Sequence, residues 1–424
     1  MQVTPPMSAE RAREIAASFD LRALPPDFHA NPYPVYAALR EQEPVRRMPD
    51  GSWFLTRHAD LVAVYRDAQG FSSDKKVEFT PKYGEGAPLL EHHTTSLVFN
   101  DPPLHTRVRR LIMGALTRRA IADMEPGLVR LVDQLLDAIE AKGGGDLVED
   151  FASAIPVEII GNLLGVPHAE RGPLRGWSLA ILGALEPKLT PEQETLGNRG
   201  VLEFLDYLRG LVAERRRRPG DPEHDVLTRL IQGGEDGERL SERELLHNVI
   251  FILNAGHETT TNLIGNALVA LQEWPRERER LLAAIGPRPD WAALEPLMTL
   301  AVDEFLRFES SNQLGNRRAL RACEVGGVAL PAGALVTLCI GAANRDPAQF
   351  AQAESLDLRR EDNRHLAFGF GIHQCAGLSL ARLEGRIAIG RFLARFPRYR
   401  LNEAPTRGGR ARFRGFLKAP FAPR

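Results

Sequence analysis

Cysteine is scarce in this chain: three among 424 residues, at Cys323, Cys339 and Cys375. An odd, sparse set makes no disulfide framework and fits a reducing compartment. Net charge is nearly absent too, at −1 with histidine neutral. Bulk charge therefore points to neither nucleic acid nor an anionic membrane surface. No apolar run is long enough to span a bilayer, and Met1-Gln2-Val3-Thr4-Pro5-Pro6 lacks the apolar stretch of a signal peptide. Internal repeats and low-complexity linkers are missing. What remains is an ordinary globular composition, 43% hydrophobic and 26% charged, long enough for one large domain or a few small ones.

One run stands out from that background: Phe368-Gly369-Phe370-Gly371-Ile372-His373-Gln374-Cys375-Ala376-Gly377. Gly369 and Gly371 let the chain turn tightly and bring amides close to a partner. Apolar residues at helical spacing follow from Leu378, so Cys375 lies at a helix N-terminus, where amides and the helix dipole favour thiolate. The bland reading is a glycine-rich strand-to-helix loop around a buried structural cysteine, which is what a lone cysteine usually is. The whole ten-residue pattern instead reads as a single thiolate held against a flat metal cofactor, with Phe368 on its face and His373 at its edge.

The rest of the chain reads as mainly α with a smaller β part. Short strands are expected over Pro44–Arg47 and Ser52–Thr56 around a Pro49-Asp50-Gly51 turn, again from Leu314, and around Gly326-Gly327. Residues 101–247 read as mostly helical, 72–100 as irregular with one possible short helix, and 411–422 as extended. Ser241-Glu242-Arg243-Glu244 is a capping box that opens a helix running to about Trp274, where Pro275 stops it. In its middle lies Ala255-Gly256-His257-Glu258-Thr259-Thr260-Thr261. Small residues at Ala255 and Gly256 admit a flat ligand, and Thr259 is placed to bond a backbone carbonyl and open the local ladder. Pro296 is expected to open a further helix that carries Glu304 and Arg307 on one face. His105 and Arg109 stand at i, i+4 behind an Asp101-Pro102-Pro103 helix start. The bland alternative is a tolerated weak spot in a buried helix for the Thr259 segment, a weak surface ion pair for Glu304 and Arg307, and a solvated basic residue for His105 and Arg109.

The run Phe368–Gly377 matches F-G-x-G-x-H-x-C-x-G at every fixed position, and by it the chain resembles the cytochrome P-450 superfamily. Ala255–Thr259 matches A-G-x-D/E-T, and Glu304–Arg307 matches E-x-x-R. The resemblance spans essentially the whole chain. It implies a triangular, helix-rich fold with haem b between the long central helix and the Cys375-bearing helix. It implies residues 1–424 as a single haem domain of the soluble bacterial type, cytoplasmic and monomeric, with no fused reductase or ferredoxin. By resemblance Cys375 is the iron ligand, and thiolate ligation favours O–O cleavage. Likewise His105, Arg109, Arg317 and His373 hold the haem carboxylates, and Ala255, Phe368, Gly369 and Gly377 shape the cofactor site. Glu258 and Thr259 relay protons to bound dioxygen, while Glu304 and Arg307 lock the core beneath the haem.

The implied function is a monooxygenase that inserts one atom of O2 into a small or medium hydrophobic substrate by hydroxylation or epoxidation. Terpenoids, fatty acids, polyketides, aromatics and peptides all fit such a scaffold. Electrons are expected from NAD(P)H through a ferredoxin or flavodoxin-type donor and its reductase, docked on a basic patch of Arg107, Arg110, Arg118 and Arg119. Arg215–Arg218 reads instead as a solvated helix end. Leu97, Val98, Phe251, Asn254, Gln313 and Phe416 are expected to line the substrate pocket. The chain departs from the family pattern at Ser311-Asn312-Gln313, where Ser311 replaces a usual proline and amides replace apolar residues; Gln313 is expected to bond a polar substrate group. The runner-up reading is a haem-binding sensor or carrier without turnover. A third reading is a cysteine hydrolase using Cys375 and His373, disfavoured because residues two apart in a glycine turn seldom make a dyad.

Overall fold

The long central helix, Glu242–Glu273, organises the molecule. The computed structural model describes residues 7–234 and 237–423. Ser241 accepts from the Glu244 amide and Glu244 answers to the Ser241 amide, the reciprocal cap expected from the sequence. Trp274 ends the helix ahead of Pro275. Its apolar residues surround it on nearly every side, so it is buried rather than amphipathic. Helices Ala154–Leu163, Gly172–Gly183 and Leu378–Arg395 pack around it. They share one hydrophobic core that draws on residues from Tyr83 to Phe421.

A five-stranded sheet stands beside this bundle, in the order Val45–Arg47, Trp53–Leu55, Leu335–Cys339, Leu314–Ala319, Phe71–Ser72. Trp53–Leu55 runs parallel to Leu335–Cys339, and the other pairs are antiparallel. The sheet has its own core, in which Leu55, Leu61, Val336 and Leu338 meet. The pairing of Arg317 with Val336 fixes which face of its strand each residue takes. Cys323–Val325 and Val328–Leu330 form the expected hairpin at Gly326-Gly327. In the tail, Phe416–Lys418 and Pro420–Ala422 pair with other strands.

Three expectations need correction. Residues 72–100 hold two helices, Lys76–Tyr83 and Pro88–Thr95, and a 3-10 turn at Leu97–Phe99. Their support is tertiary: Tyr83 Oη donates to Ala184 O at 2.7 Å, and the amides of Leu89 and Leu97 donate to Asn198 and Asn248 at 3.0 and 2.9 Å. Pro296 lies inside its helix rather than opening it. That helix is Trp291–Phe308, and Asp290 caps it by accepting from the Ala293 amide at 3.2 Å. Arg215 is not a solvated end either, since it pairs with Asp225 at 2.6 Å and donates to Gly165 O at 3.0 Å.

Candidate active site

The Cys375 loop is built by glycines at two points. Gly369 and Gly371 have φ of +64° and +73°, which side chains rarely adopt. A Cβ on Gly371 would also meet the Tyr65 carbonyl oxygen at 2.4 Å. The Cys375 amide donates to Phe368 O at 2.9 Å, closing the loop before helix Leu378–Arg395. The sulfur is accessible from a cavity of about 340 Å³ yet enclosed by the fold. Burial raises the thiol pKa, and the Gly377 amide, Arg109 and Arg382 only partly oppose it. The Gly377 amide acts in the expected direction, but desolvation outweighs it, and a coordinated cation would be needed to hold the thiolate.

The central helix forms the opposite wall. Ala255 is exposed to the cavity among buried neighbours, and Thr259 lies one turn further on. Thr259 Oγ1 donates to Ala255 O at 2.7 Å, while the helix continues unbroken through this point. Gly256 serves packing as much as ligand approach, because a Cβ there would meet Ile160 Cδ1 at 2.5 Å. Glu258 does not line the cavity. It is buried on another face of the helix and ion-paired with Arg410, and burial raises its pKa against that pairing.

Positive charge gathers at one end of the cavity. Arg109 donates to Gln374 O at 2.7 Å, and Arg317 stacks over the Tyr65 ring at 5.1 Å. The rings of His105 and His373 lie 4.0 Å apart. Both His105 nitrogens and His373 Nε2 have no hydrogen-bond partner. Burial and neighbouring cations depress His105 to about 4 and His373 to about 2. Lys75 joins this group, buried and paired with Glu78 at 2.8 Å, with burial lowering its pKa to about 8. Sequence reasoning missed Lys75, which lies in a stretch without periodicity and so carries no local signal. Cationic side chains and orphaned donors at one end, with a lone thiol below, fit a flat prosthetic group that carries two carboxylates and a metal. No cluster of three or more His, Cys, Asp or Glu among the described residues is placed to hold a bare metal ion.

The Glu304–Arg307 pair lies behind this wall and is fully buried on both sides. Arg307 binds Glu304 through two bonds of 2.7 and 2.8 Å and donates to the carbonyls of Asn344, Ala353 and Ser355. Glu304 also receives the Asp357 amide, Arg360 and Asn363. Asn344 in turn accepts from the Leu366 amide at 2.7 Å, two residues before Phe368. A surface ion pair is thus excluded, and the network anchors the segment that leads into the Cys375 loop.

Of the expected pocket residues, Leu97, Val98, Phe251 and Asn254 line the cavity. Gln313 and Phe416 do not. Gln313 Nε2 donates to Ser310 O at 2.7 Å, and its Oε1 fills the space beside Gly341, where a Cβ would lie 1.8 Å away. Phe416 packs in the core beneath Arg407, 3.8 Å from its ring, and Phe413 lines the cavity instead. The expected basic patch is largely neutralised. Arg107 pairs with Glu244, Arg110 with Glu238, and Arg119 with Asp123 at 3.9 Å. The Arg118 side chain lies outside the described residues.

Comparison with known proteins places this geometry among relatives. A family model described as Cytochrome P450 matches residues 187–405. The chain is 36% identical to Cytochrome P450 107B1 of Saccharopolyspora erythraea, covering 95% of this chain and 98% of that one. It is 37% identical to the epothilone C/D epoxidase of Sorangium cellulosum, covering 96% of each. Among solved structures it resembles P450BioI bound to a hexadec-9Z-enoic acid ligated acyl carrier protein, with a TM-score of 0.85 and 30% identity. That match covers 94% of this chain and 100% of the other. Bacillus subtilis PksS gives a TM-score of 0.82 at 31% identity, covering 96% and 99%.

Proposed function

The chain belongs to the cytochrome P450 family, and on that footing we propose that Cys375 ligates the iron of haem b while His105, Arg109, Arg317 and His373 hold its carboxylates. The protein is a haem-dependent monooxygenase supplied with electrons by external redox partners, and its relatives include a 25-hydroxylase and an epoxidase. When bound, thiolate-ligated haem supplies the electron-rich iron that favours O–O cleavage. The carrying observation is a cavity with the Cys375 sulfur on one wall, Ala255 and Thr259 on the other, and at its cationic end the orphaned His373 Nε2, with the His105 ring packed behind it and off the cavity lining.

The chain's own residues do the rest. Arg109 and Arg317 attract the carboxylates, and the neutral imidazoles of His105 and His373 donate to them without adding buried charge. Phe368 covers a face, and Arg382 stacks 5.1 Å from its ring. Glu304 and Arg307 hold the loop rigid. Thr259 holds its proton on Ala255 O and is positioned to redirect it into the cavity, and Glu258, whose pKa burial raises against its pairing with Arg410, is the next titratable group along the helix. The short helices within 72–100 and the segment after Leu182 exclude water and shape the entrance.

The substrate in this reading is a medium-sized hydrophobic molecule of bacterial secondary metabolism or catabolism, in keeping with relatives named for polyketide, epothilone and vitamin D3 oxidation. Residues 1–424 act as one haem domain, monomeric and cytoplasmic, receiving electrons from a ferredoxin or flavodoxin-type donor through its reductase. No helix among the described residues is long and apolar enough to cross a membrane. Nothing in these relatives favours a sensor or carrier. Nor is a hydrolytic dyad favoured, because no hydrogen bond between His373 and Cys375 is present and the His373 ring stacks on His105. The test is the carbon monoxide adduct of the reduced protein. The intact protein is expected to absorb as a thiolate adduct, and Cys375→His as an imidazole adduct. A myoglobin-like spectrum from intact wild-type protein would sink the assignment.

A further inference from the structure

The cavity has a second polar feature that haem binding does not use. Asn254 is 2% exposed and lines the cavity, and neither its amide nitrogen nor its amide oxygen has a partner. Asn312, from the loop before strand Leu314–Ala319, also lines it with an unpartnered Oδ1. His93, 2% exposed, lines it with an unpartnered Nε2. Three chain segments far apart in sequence thus bring unpaired hydrogen-bonding atoms to one mostly apolar chamber, whose wall includes Leu97, Phe251 and Phe413. Burying such atoms unpaired costs free energy at each site, so a ligand that pairs with them is selected over one that does not.

The sign of charge is also decided. His93 is packed among Phe79, Tyr83 and Phe99 and is held neutral. Most of the cations that line the cavity have partners, although Arg412 Nε has none. Lys75 pairs with Glu78, and Arg412 donates to Leu314 O at 3.0 Å and to the Asn316 side chain. Arg109 and Arg317 stand at the carboxylate-holding end. Asn254, Asn312 and the neutral His93 offer a carboxylate no countercharge, whereas a hydroxyl or carbonyl oxygen matches amides that both donate and accept.

We infer that Asn254, Asn312 and His93 are specificity-determining residues that select an uncharged, mostly apolar substrate carrying a hydroxyl or carbonyl oxygen remote from the carbon that reacts. This inference rests on the haem-monooxygenase reading above. It relocates the polar recognition that the sequence suggests for Gln313, which lies off the cavity with its amide nitrogen bonded to Ser310 O.

Alkyl-imidazole probes test it without knowledge of the substrate. The imidazole head coordinates ferric haem, and the tail, of six to twelve carbons, ends in a methyl, a hydroxyl or a carboxylate. Affinity is read from the ferric absorption shift of the holoprotein. At its best tail length the hydroxyl probe is expected to bind about tenfold tighter than the methyl probe, and the carboxylate probe weakest. Asn254→Leu and Asn312→Leu should each shrink the ratio of hydroxyl-probe to methyl-probe affinity severalfold while leaving the carbon monoxide spectrum that of a thiolate adduct. Equal affinities at every length, a preference for the carboxylate, or a hydroxyl preference that survives both substitutions overturns the inference. The absence of any absorption shift with any tail instead overturns the haem reading beneath it.

Discussion

At the scale of single residues, Thr259 separates positioning from chemistry. Its hydroxyl already spends its proton on Ala255 O at 2.7 Å, so the side chain is oriented before any ligand enters. Removing it leaves the helix, the cavity wall and the Cys375 loop in place, since no tertiary contact depends on that oxygen. Thr259→Ala is therefore expected to bind haem normally and to consume NADPH, but to lose product formation per NADPH by roughly tenfold or more, with hydrogen peroxide rising in its place. Thr259→Ser should restore most of the coupling. The check is the ratio of product to NADPH and peroxide in a reconstituted system with a surrogate ferredoxin and reductase. Coupling unchanged in the alanine variant removes Thr259 from the proton route.

At the scale of elements, the buried Glu304–Arg307 pair turns helix Trp291–Phe308 into an anchor for the loop that ends at Cys375. Breaking one partner leaves the other charge buried and the carbonyls of Asn344, Ala353 and Ser355 or the donors from Asp357, Arg360 and Asn363 unanswered. Glu304→Gln should cost about 3–5 kcal/mol in urea unfolding and speed haem loss to apomyoglobin. Wild-type stability and retention in that variant would mean that the network is dispensable. Elements also explain how legible the molecule is from sequence. The central helix is readable to within a residue because its signals are local: a capping box at Ser241, sustained apolarity, and a proline stop. The Cys375 loop is readable because its glycines and cysteine are contiguous. The helices within 72–100 are not, since a carbonyl and two side chains more than a hundred residues away support them. Pro296 misleads because Asp290 supplies a cap that the proline only mimics. Gln313 and Asn312 are adjacent, and only the pairing of the following strand decides which faces the cavity and which faces Gly341.

At the scale of the whole molecule, the distribution of buried histidines fixes how stability responds to acid. His93, His105, His247, His257 and His373 are depressed to values between about 2 and about 4, and His92 well below its ordinary value, all chiefly by burial. An unfolded histidine titrates near 6.5, so between that pH and the folded values the unfolded chain binds protons that the native protein refuses. Each such group lowers stability as pH falls, by up to about 1.4 kcal/mol per pH unit. Buried carboxyls act in the opposite sense: Glu384, raised to about 8, stays protonated in the fold over this range, and burial also raises Asp60, Glu258 and Glu273. For these the native state binds the extra proton, so stability increases as pH falls toward the ordinary carboxyl range. With His58, which burial also lowers, seven histidines outnumber four carboxyls, and the net proton uptake on unfolding is positive between pH 6.5 and 5. The urea midpoint of the protein should therefore fall on going from pH 7 to pH 5, and the fall should flatten in His93→Leu, which deletes one of these groups. A midpoint that holds or rises over that interval would mean that the carboxyls govern the response, and that the histidines are not held neutral by the fold.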